Sequence, residues 1–282
     1  MLTVVIPANN EEAYLASCLD ALLAQTLEAD HAGGVELVLA ANACTDRTVE
    51  IARGYVPRFA GKGWELVVLD IAEGGKLNAL NRADGIARGD MRAYLDADVI
   101  CSPTLLAKIH AALDVPAPRY ASGRMQLSPA ESWVSRQFGR LWVNLPFMRN
   151  DIPGNVQGAG LFAVNAAGRA RWDEFPDIIS DDGYVRLLFA PEERVLAEAD
   201  YSWPLAEGFA QLVKVRRRQD AGNVEIAETY PELLANESKP PITRGDYLKL
   251  FLGQPVSFLV YISVILTVRF GPKQAAGWTR GR

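Results

Sequence analysis

Apolar positions in the first third of the chain follow two alternating periods. Residues 2–7 (Leu-Thr-Val-Val-Ile-Pro) form a short β-branched run closed by proline, which predicts a buried strand. Leu15, Cys18, Leu19, Leu22 and Leu23 then recur at helical spacing within residues 12–25. Residues 35–40 predict a second strand and 46–53 a second helix. Residues 64–69 predict a third strand, 76–88 a third helix and 91–95 a fourth strand. This strand–helix alternation predicts an α/β fold with a mostly parallel sheet covered by helices. Ligands of such sheets bind beyond the carboxyl ends of the strands. Polar residues gather at those ends: Asn9, Asn10 and Glu11 after the first strand, Asn42 and Asp46 after the second, Asp96 and Asp98 after the fourth.

The remainder is less regular. Residues 120–126 predict a strand. Ser128-Pro-Ala-Glu131 has the form of a capping box opening a helix toward Phe147. Residues 158–164 predict a glycine-led strand, Ser180-Asp-Asp-Gly183 a helix start, and 194–198 a short strand. A soft boundary near Cys101 divides residues 1–100 from residues 101–222. Residues 223–282 form a helical tail.

Within that tail the character changes. Residues 256–268 are thirteen uncharged, mostly apolar positions. As a helix they span roughly 20 Å, short of the ~30 Å hydrocarbon core of a bilayer. Lys249 and the Gly253-Gln-Pro255 break prevent a longer run, and Arg269, Lys273, Arg280 and Arg282 follow. The expectation is an interfacial or re-entrant anchor on the cytoplasmic face, in contact with the membrane through 247–268, ahead of a full span. A helix packed on the catalytic domain or on a second subunit is the alternative.

Composition narrows the class. The 282 residues carry 29 Lys+Arg and 34 Asp+Glu, a net charge of −5. With 49 % apolar and 22 % charged residues, the chain is neither disordered nor a polytopic membrane protein. An acidic balance argues against a nucleic-acid partner held by bulk charge. Cys18, Cys44 and Cys101 are odd in number and contain no CxxC, which excludes a disulfide framework and fits a reducing compartment. Residues 2–7 are too short for a signal-peptide core, so a cytoplasmic location is expected. The two histidines, His31 and His110, are far apart in sequence, leaving acid–base work to carboxylates.

Four clusters can carry chemistry. Asp96-Ala-Asp98 places two carboxylates at i and i+2 where the chain leaves a strand, a donor pair suited to Mg²⁺ or Mn²⁺. Alone, such a pair serves as readily as a solvated loop or a helix cap. Ser102 offers the next helix its own cap, which leaves the two acids for another task. Lys76 opens a helix after Gly74-Gly75, a geometry suited to a phosphate; a plain surface helix with Ala79-Leu80 turned inward is the bland reading. Asp181-Asp182 at a helix start is either a dipole partner or a source of a general base. Lys214-Val-Arg-Arg-Arg218 is the densest basic cluster, either a solvated or lipid-facing surface or a clamp on a diphosphate.

Taken in order, these segments resemble family 2 glycosyltransferases, inverting enzymes of the GT-A fold that use nucleotide-diphosphate sugars. Val5-Ile-Pro-Ala-Asn-Asn-Glu-Glu12 is similar to the family's IPAYNEE start, with Asn9 in place of an aromatic. Ala41-Asn-Ala-Cys-Thr-Asp46 is similar to DNGSTD, with Ala41 in place of an acid. Lys76-Leu-Asn-Ala-Leu-Asn81 matches KxxALN, and Tyr94-Leu-Asp-Ala-Asp98 resembles FLDAD. Ser180-Asp-Asp182 resembles the ED motif, and Val215-Arg-Arg-Arg-Gln219 keeps only Arg218 of QxxRW, which argues against a processive synthase. The resemblance spans residues 2 to about 222. It implies that Ala8 and Glu11 touch the donor nucleoside and that Asn42 and Asp46 line the base pocket. Lys76 helps hold the donor, and Asp96 approaches the ribose or metal shell. Asp98 ligates Mn²⁺ or Mg²⁺, Arg218 clamps the diphosphate, and Asp182 is the base. The implied acceptor is a hydroxyl of a glycan or lipid-linked molecule. A nucleotidyltransferase and a non-catalytic sugar-nucleotide-binding scaffold are the rival readings. The acidic, glycine-free Ala8-Asn-Asn-Glu-Glu12 counts against the first.

Overall fold

The computed structural model describes residues 1–30 and 32–272. His31, and with it Lys273, Arg280 and Arg282 of the basic tail, lie outside the described residues. The chain divides into two compact units.

The first unit, residues 1–126, 156–177 and 181–203, holds the sheet. Its elements begin β1 (Leu2–Ala8), α1 (Leu15–Leu23), β2 (Val35–Asn42), α2 (Thr48–Gly61), β3 (Glu65–Ile71), α3 (Lys76–Ile86) and β4 (Met91–Leu95). They continue with β5 (Ile100–Cys101), α4 (Leu105–Leu113) and β6 (Tyr120–Leu127). The sheet runs β3-β2-β1-β4 and then three further strands before β5: β7 (Leu161–Val164), β6 and β8 (Arg194–Trp203). Pairs β1–β2, β1–β4 and β2–β3 are parallel, as the sequence predicts. β7 joins β4 and β6 antiparallel, and β5 joins β8 antiparallel, so the sheet is mixed.

Strands β1 and β2 are buried along nearly their whole length because both sheet faces are covered. Their residues divide by a period of two. Leu2, Val4, Ile6, Leu37 and Leu39 enter one core with residues of α1, α2 and α4. Val5, Val38 and Ala40 enter another with Ala79, Leu80 and Ala83 of α3 and an aromatic group around Tyr94, Phe162 and Phe175.

Several element ends differ from expectation, each for a visible reason. Helix α2 runs to Gly61, well beyond residue 53, and carries Pro57 inside it. An interior proline costs a helix ~3 kcal/mol. Phe59 is wholly buried and stacks on Trp64, a burial that contributes roughly 1.5–3 kcal/mol and offsets much of that cost. Helix α3 stops short of Arg88, whose N–H and guanidinium turn to Glu36. Strand β8 extends to Trp203 because Ala197, Ala199 and Tyr201 alternate inward past the acidic Glu198 and Asp200. Ser102 does not cap α4: its hydroxyl makes no hydrogen bond, and Thr104 occupies the cap position. Gln25 does the work from a distance, accepting from Leu106 N–H at 2.9 Å and donating to the Ser102 carbonyl at 2.8 Å. The remaining helices of this unit are α6 (Ala166–Arg169) and α7 (Asp181–Leu187), on either side in sequence of residues 178–180.

The second unit, residues 127–155, 178–180 and 204 onward, is helical. It contains α5 (Trp133–Trp142), α8 (Gly208–Thr229), α9 (Arg244–Gly253) and α10 (Pro255–Phe270). Ser132, not Ser128, caps α5, accepting from Ser135 N–H at 3.5 Å. The expected box fails because Glu207 reaches in and accepts from the N–H groups of Glu131 and Ser132 at 2.8 and 2.9 Å. Helix α10 packs on α5 and α8: Ser257 donates to Gln137 at 2.8 Å, Tyr261 meets Phe138, and Arg217 donates to the Thr267 carbonyl. No helix among the described residues is long and apolar enough to cross a membrane.

Glu36 on β2 is the most consequential charge in the sheet unit. Burial alone would raise its carboxyl pKa. The Arg88 N–H (2.9 Å), the Thr3 hydroxyl (2.8 Å) and the Arg88 guanidinium (2.7 Å) outweigh that and hold it below the usual glutamate range. A lowered folded-state value means stabilisation that is complete above the ordinary glutamate titration and lost as pH falls through the lowered value. Glu36→Gln should therefore cost ~1–3 kcal/mol at neutral pH by urea unfolding. The gap to the parent protein should narrow between about pH 5 and about pH 3; a pH-independent gap would contradict this.

Candidate active site

At the carboxyl edge of the parallel strands, three loops brace one another. Asn42, buried at the end of β2, donates to the Ala8 carbonyl at 2.9 Å and accepts from Gly75 N–H at 3.1 Å. Asn9 donates to the Asn42 carbonyl at 2.6 Å. Asn10 adopts φ +53° and its side-chain oxygen accepts from Thr45 N–H at 2.6 Å. Asp46 accepts from Thr48 N–H and from Glu12 N–H, while the Thr48 hydroxyl accepts from Glu11 N–H at 2.7 Å. Ala43 sits at φ +44°, a left-handed conformation that costs an L side chain energy and persists because neighbours hold it. The structure thus brings Ala8, Glu11, Asn42 and Asp46 together, with the Asn42 amide and the Asp46 carboxylate bound to loop backbone.

The metal-type pair lies one strand over. After β4, Ala97 and Val99 point into the core while Asp96 and Asp98 remain part-exposed on the other side. Asp96 N–H donates to the Gly160 carbonyl at 2.9 Å, and Val99 N–H closes a turn onto the Asp96 carbonyl at 3.1 Å. Gly160 has φ +76°, and a Cβ there would approach Trp203 Cδ1 to 2.5 Å and Val99 Cγ2 to 2.8 Å, so no larger residue fits. Tyr201 donates to the neighbouring Ala159 carbonyl at 2.8 Å. Tyr201, buried in the core, and Trp203 thus hold this glycine loop against the end of β4, a contact that motif spacing does not announce. The only local signal was the Gly-Ala-Gly spelling itself.

Lys76 ties the site together. Its ammonium lies 3.1 Å from Asp96 Oδ1, 3.0 Å from Asp181 Oδ2 and 3.3 Å from Asp181 Oδ1. Gly75, at φ +130°, turns the chain into α3 so that Lys76 is its first residue. The Lys76 side chain is 33 % exposed and that of Asp181 only 10 %. Burial would lower the lysine pKa, but Asp181, Asp96 and Asp182 together push it up, so the cation is firmly held. Burial pushes the Asp181 carboxyl up; Lys76 opposes this, and the charges of Asp182 and Asp96 add to it. Asp182 follows on the first turn of α7, its carboxylate accepting from Gly183 N–H at 2.8 Å. Lys76, Asp96 and Asp181 are thus in direct contact, with Asp98 and Asp182 adjacent in the chain.

Arg218 belongs to α8 in the helical unit. Of its basic neighbours, Arg216 pairs with Asp220 at 2.9 Å and Arg217 bonds α10. Among the described residues no three His, Cys, Asp or Glu side chains form a self-sufficient metal cage. Asp96 and Asp98 supply hard oxygen donors only. That set fits Mn²⁺ or Mg²⁺, ions that take one or two carboxylates and complete their shell with substrate phosphates and water.

Comparison with known proteins agrees with this architecture. Residues 3–174 match the model of Glycosyl transferase family 2. A PGL/p-HBAD biosynthesis glycosyltransferase of Mycobacterium tuberculosis is 34% identical over 98 residues, 35% of each chain. The uncharacterized glycosyltransferase YibD of Escherichia coli is 26% identical over 173 residues, 61% of this chain and 45% of that one. EpsJ of Bacillus subtilis is 29% identical over 109 residues, 39% of this chain and 29% of that one. These matches therefore span less than half the length of each relative. Among solved structures, a Pyrobaculum calidifontis mannosyltransferase in complex with GDP-Man and Mn²⁺ superposes with TM-score 0.55 at 17% identity, covering 97% of this chain and 76% of that one. Staphylococcus aureus TarS 1–349 in complex with UDP superposes with TM-score 0.53 at 15% identity, covering 100% and 95%. With a GT-A-like mixed sheet and a family match over most of the sheet unit, the chain belongs to glycosyl transferase family 2.

Proposed function

We propose that this protein is an inverting, metal-dependent, non-processive transferase. It would move a sugar from a nucleotide-diphosphate sugar to a hydroxyl of a glycan or lipid-linked acceptor. The acceptor would be met at the cytoplasmic face of the cell membrane, which the apolar stretch 247–268 contacts. The observation that carries the reading is the Lys76 ammonium held between Asp96 and Asp181, with Asp98 and Asp182 flanking them. The solved neighbours support the donor class, since they were obtained with GDP-Man and Mn²⁺ and with UDP.

In this reading Ala8 and Glu11 contact the nucleoside, and Asn42 and Asp46 shape the base pocket by fixing its loops. Asp98, with Asp96, would hold Mn²⁺ or Mg²⁺, which when bound supplies charge neutralisation to the leaving diphosphate. Arg218 adds a bidentate donor to the same diphosphate. Asp182 accepts the acceptor's hydroxyl proton as that oxygen attacks the anomeric carbon. The C–O bond to the diphosphate breaks on the opposite face, so one displacement inverts the centre. Lys76 neutralises Asp181 and thereby stops two adjacent carboxylates from standing unpaired beside the departing diphosphate.

Asp182→Asn should lower transfer by about 10²–10⁴-fold while Mn²⁺-dependent nucleotide binding survives; full transfer in that variant would remove the base assignment. Asp98→Ala should weaken metal-dependent donor binding in a thermal-shift panel of UDP-, GDP- and dTDP-sugars with Mn²⁺; unchanged shifts would remove its ligand role. Lys76→Met leaves a buried carboxylate unpaired and should cost ~1–3 kcal/mol of stability. The double variant Lys76→Met/Asp181→Asn should recover most of that stability in thermal unfolding. No recovery would show that the cation does not act through Asp181.

A further inference from the structure

Helix α10 has two faces. Ser257, Tyr261 and Val264 are buried on one, against α5 and α8. On the other, Val256, Leu259, Leu266 and Phe270 fall on one row at spacings of three, seven and four, and all are exposed. Leu259 is 62 % exposed and Phe270 74 %. Helix α9 leaves Leu248 and Leu252 uncovered one turn apart, the latter 71 % exposed. The polar residues along α10 do not spoil the row. Ser263 donates its hydroxyl to the Val260 carbonyl at 2.7 Å, and Thr267 donates to the Ser263 carbonyl at 2.8 Å. Both donors are already satisfied inside the helix, so moving them out of water costs little.

Charge selects the occupant. From the start of α9, residues 244–282 contain six Lys or Arg and one acid, Asp246 beside Lys249, in a chain whose net charge is −5. The Arg269 guanidinium carbon lies 5.5 Å from the Phe270 ring centroid, a cation–π pairing that keeps this charge at the edge of the apolar row. A second copy of this chain, docked through the same face, would bring two surfaces of the same net positive charge together. An anionic lipid surface neutralises them instead. At 16 residues α10 is roughly 24 Å long, too short to span the hydrocarbon core, so the geometry is in-plane.

We infer that α9 and α10 form an in-plane docking face for anionic bilayers, with the Val256–Leu259–Leu266–Phe270 row inserted at the headgroup boundary and Lys249 and Arg269 at the phosphates. This deepens the membrane reading given above and is independent of whether the chain transfers sugar. The full-length protein should co-sediment with vesicles of phosphatidylcholine containing phosphatidylglycerol, bind pure phosphatidylcholine vesicles at least tenfold more weakly, and be released by high salt. Leu259→Glu/Phe270→Glu should lower binding to the anionic vesicles at least tenfold without shifting thermal unfolding, since both side chains are exposed. Equal vesicle binding by that variant, no binding by the parent protein, or a dimer in light scattering that the variant abolishes without any lipid binding would each overturn the inference. Nucleotide-sugar turnover without vesicles reports separately on the transferase reading: vesicle binding with no turnover upholds the docking face and defeats the activity.

Discussion

The site depends on one buried-edge ion cluster, the Lys76 ammonium between Asp96 and Asp181. Its three short contacts join the start of α3, the exit of β4 and the start of α7. Without the cation, Asp96 and Asp181 would lose the ammonium that touches both of them at the sheet edge. Two consequences follow from that contact. The ammonium draws Asp96 and Asp181 together against the burial that pushes the Asp181 carboxyl up, and it ties the start of α7 to the exit of β4. A lysine suits this role because its compact ammonium can satisfy several oxygens from different directions, whereas a planar guanidinium would favour one.

Around that cluster the fold supplies rigidity where ligands need it. The β1 and β2 edge loops are locked by side chains that bond backbone: Asn42 to Ala8 and Gly75, Asn10 to Thr45, Asp46 to Thr48. The strained Ala43 and Asn10 are tolerated because these bonds fix them. On the far side, Gly160 admits Trp203 and Val99 to contact distance, so Asp96 N–H can reach the Gly160 carbonyl. The helical unit contributes a different property, exposed apolar residues on α9 and α10 in a segment whose basic residues outnumber its one acid, Asp246.

Much of this was legible in the sequence, and the limits are physical. The parallel half of the sheet was readable because buried strands and amphipathic helices carry distinct periods, and polar residues could be assigned to strand ends by position alone. Motif spacing singled out Lys76, Asp96, Asp98 and Asp182, and of these the structure places Lys76 against Asp96. What spacing could not show was partnership across distance. Asp181 is 105 positions from Lys76, and nothing local in either segment announces the pairing. The same holds for Gln25, which caps α4 in place of Ser102, and for Glu207, which takes the Glu131 N–H that a box from Ser128 would have used. Helix α2 running through Pro57 is a third case, in which packing of Phe59 outweighed a local breaker.

The central claim is a single in-line displacement with Asp182 as base, and stereochemistry reads it directly. An α-linked UDP- or GDP-sugar turned over by the protein with Mn²⁺ can be followed at the anomeric proton by NMR before mutarotation. The account predicts that the first-formed sugar or glycoside carries the β configuration. An α product formed first would contradict it.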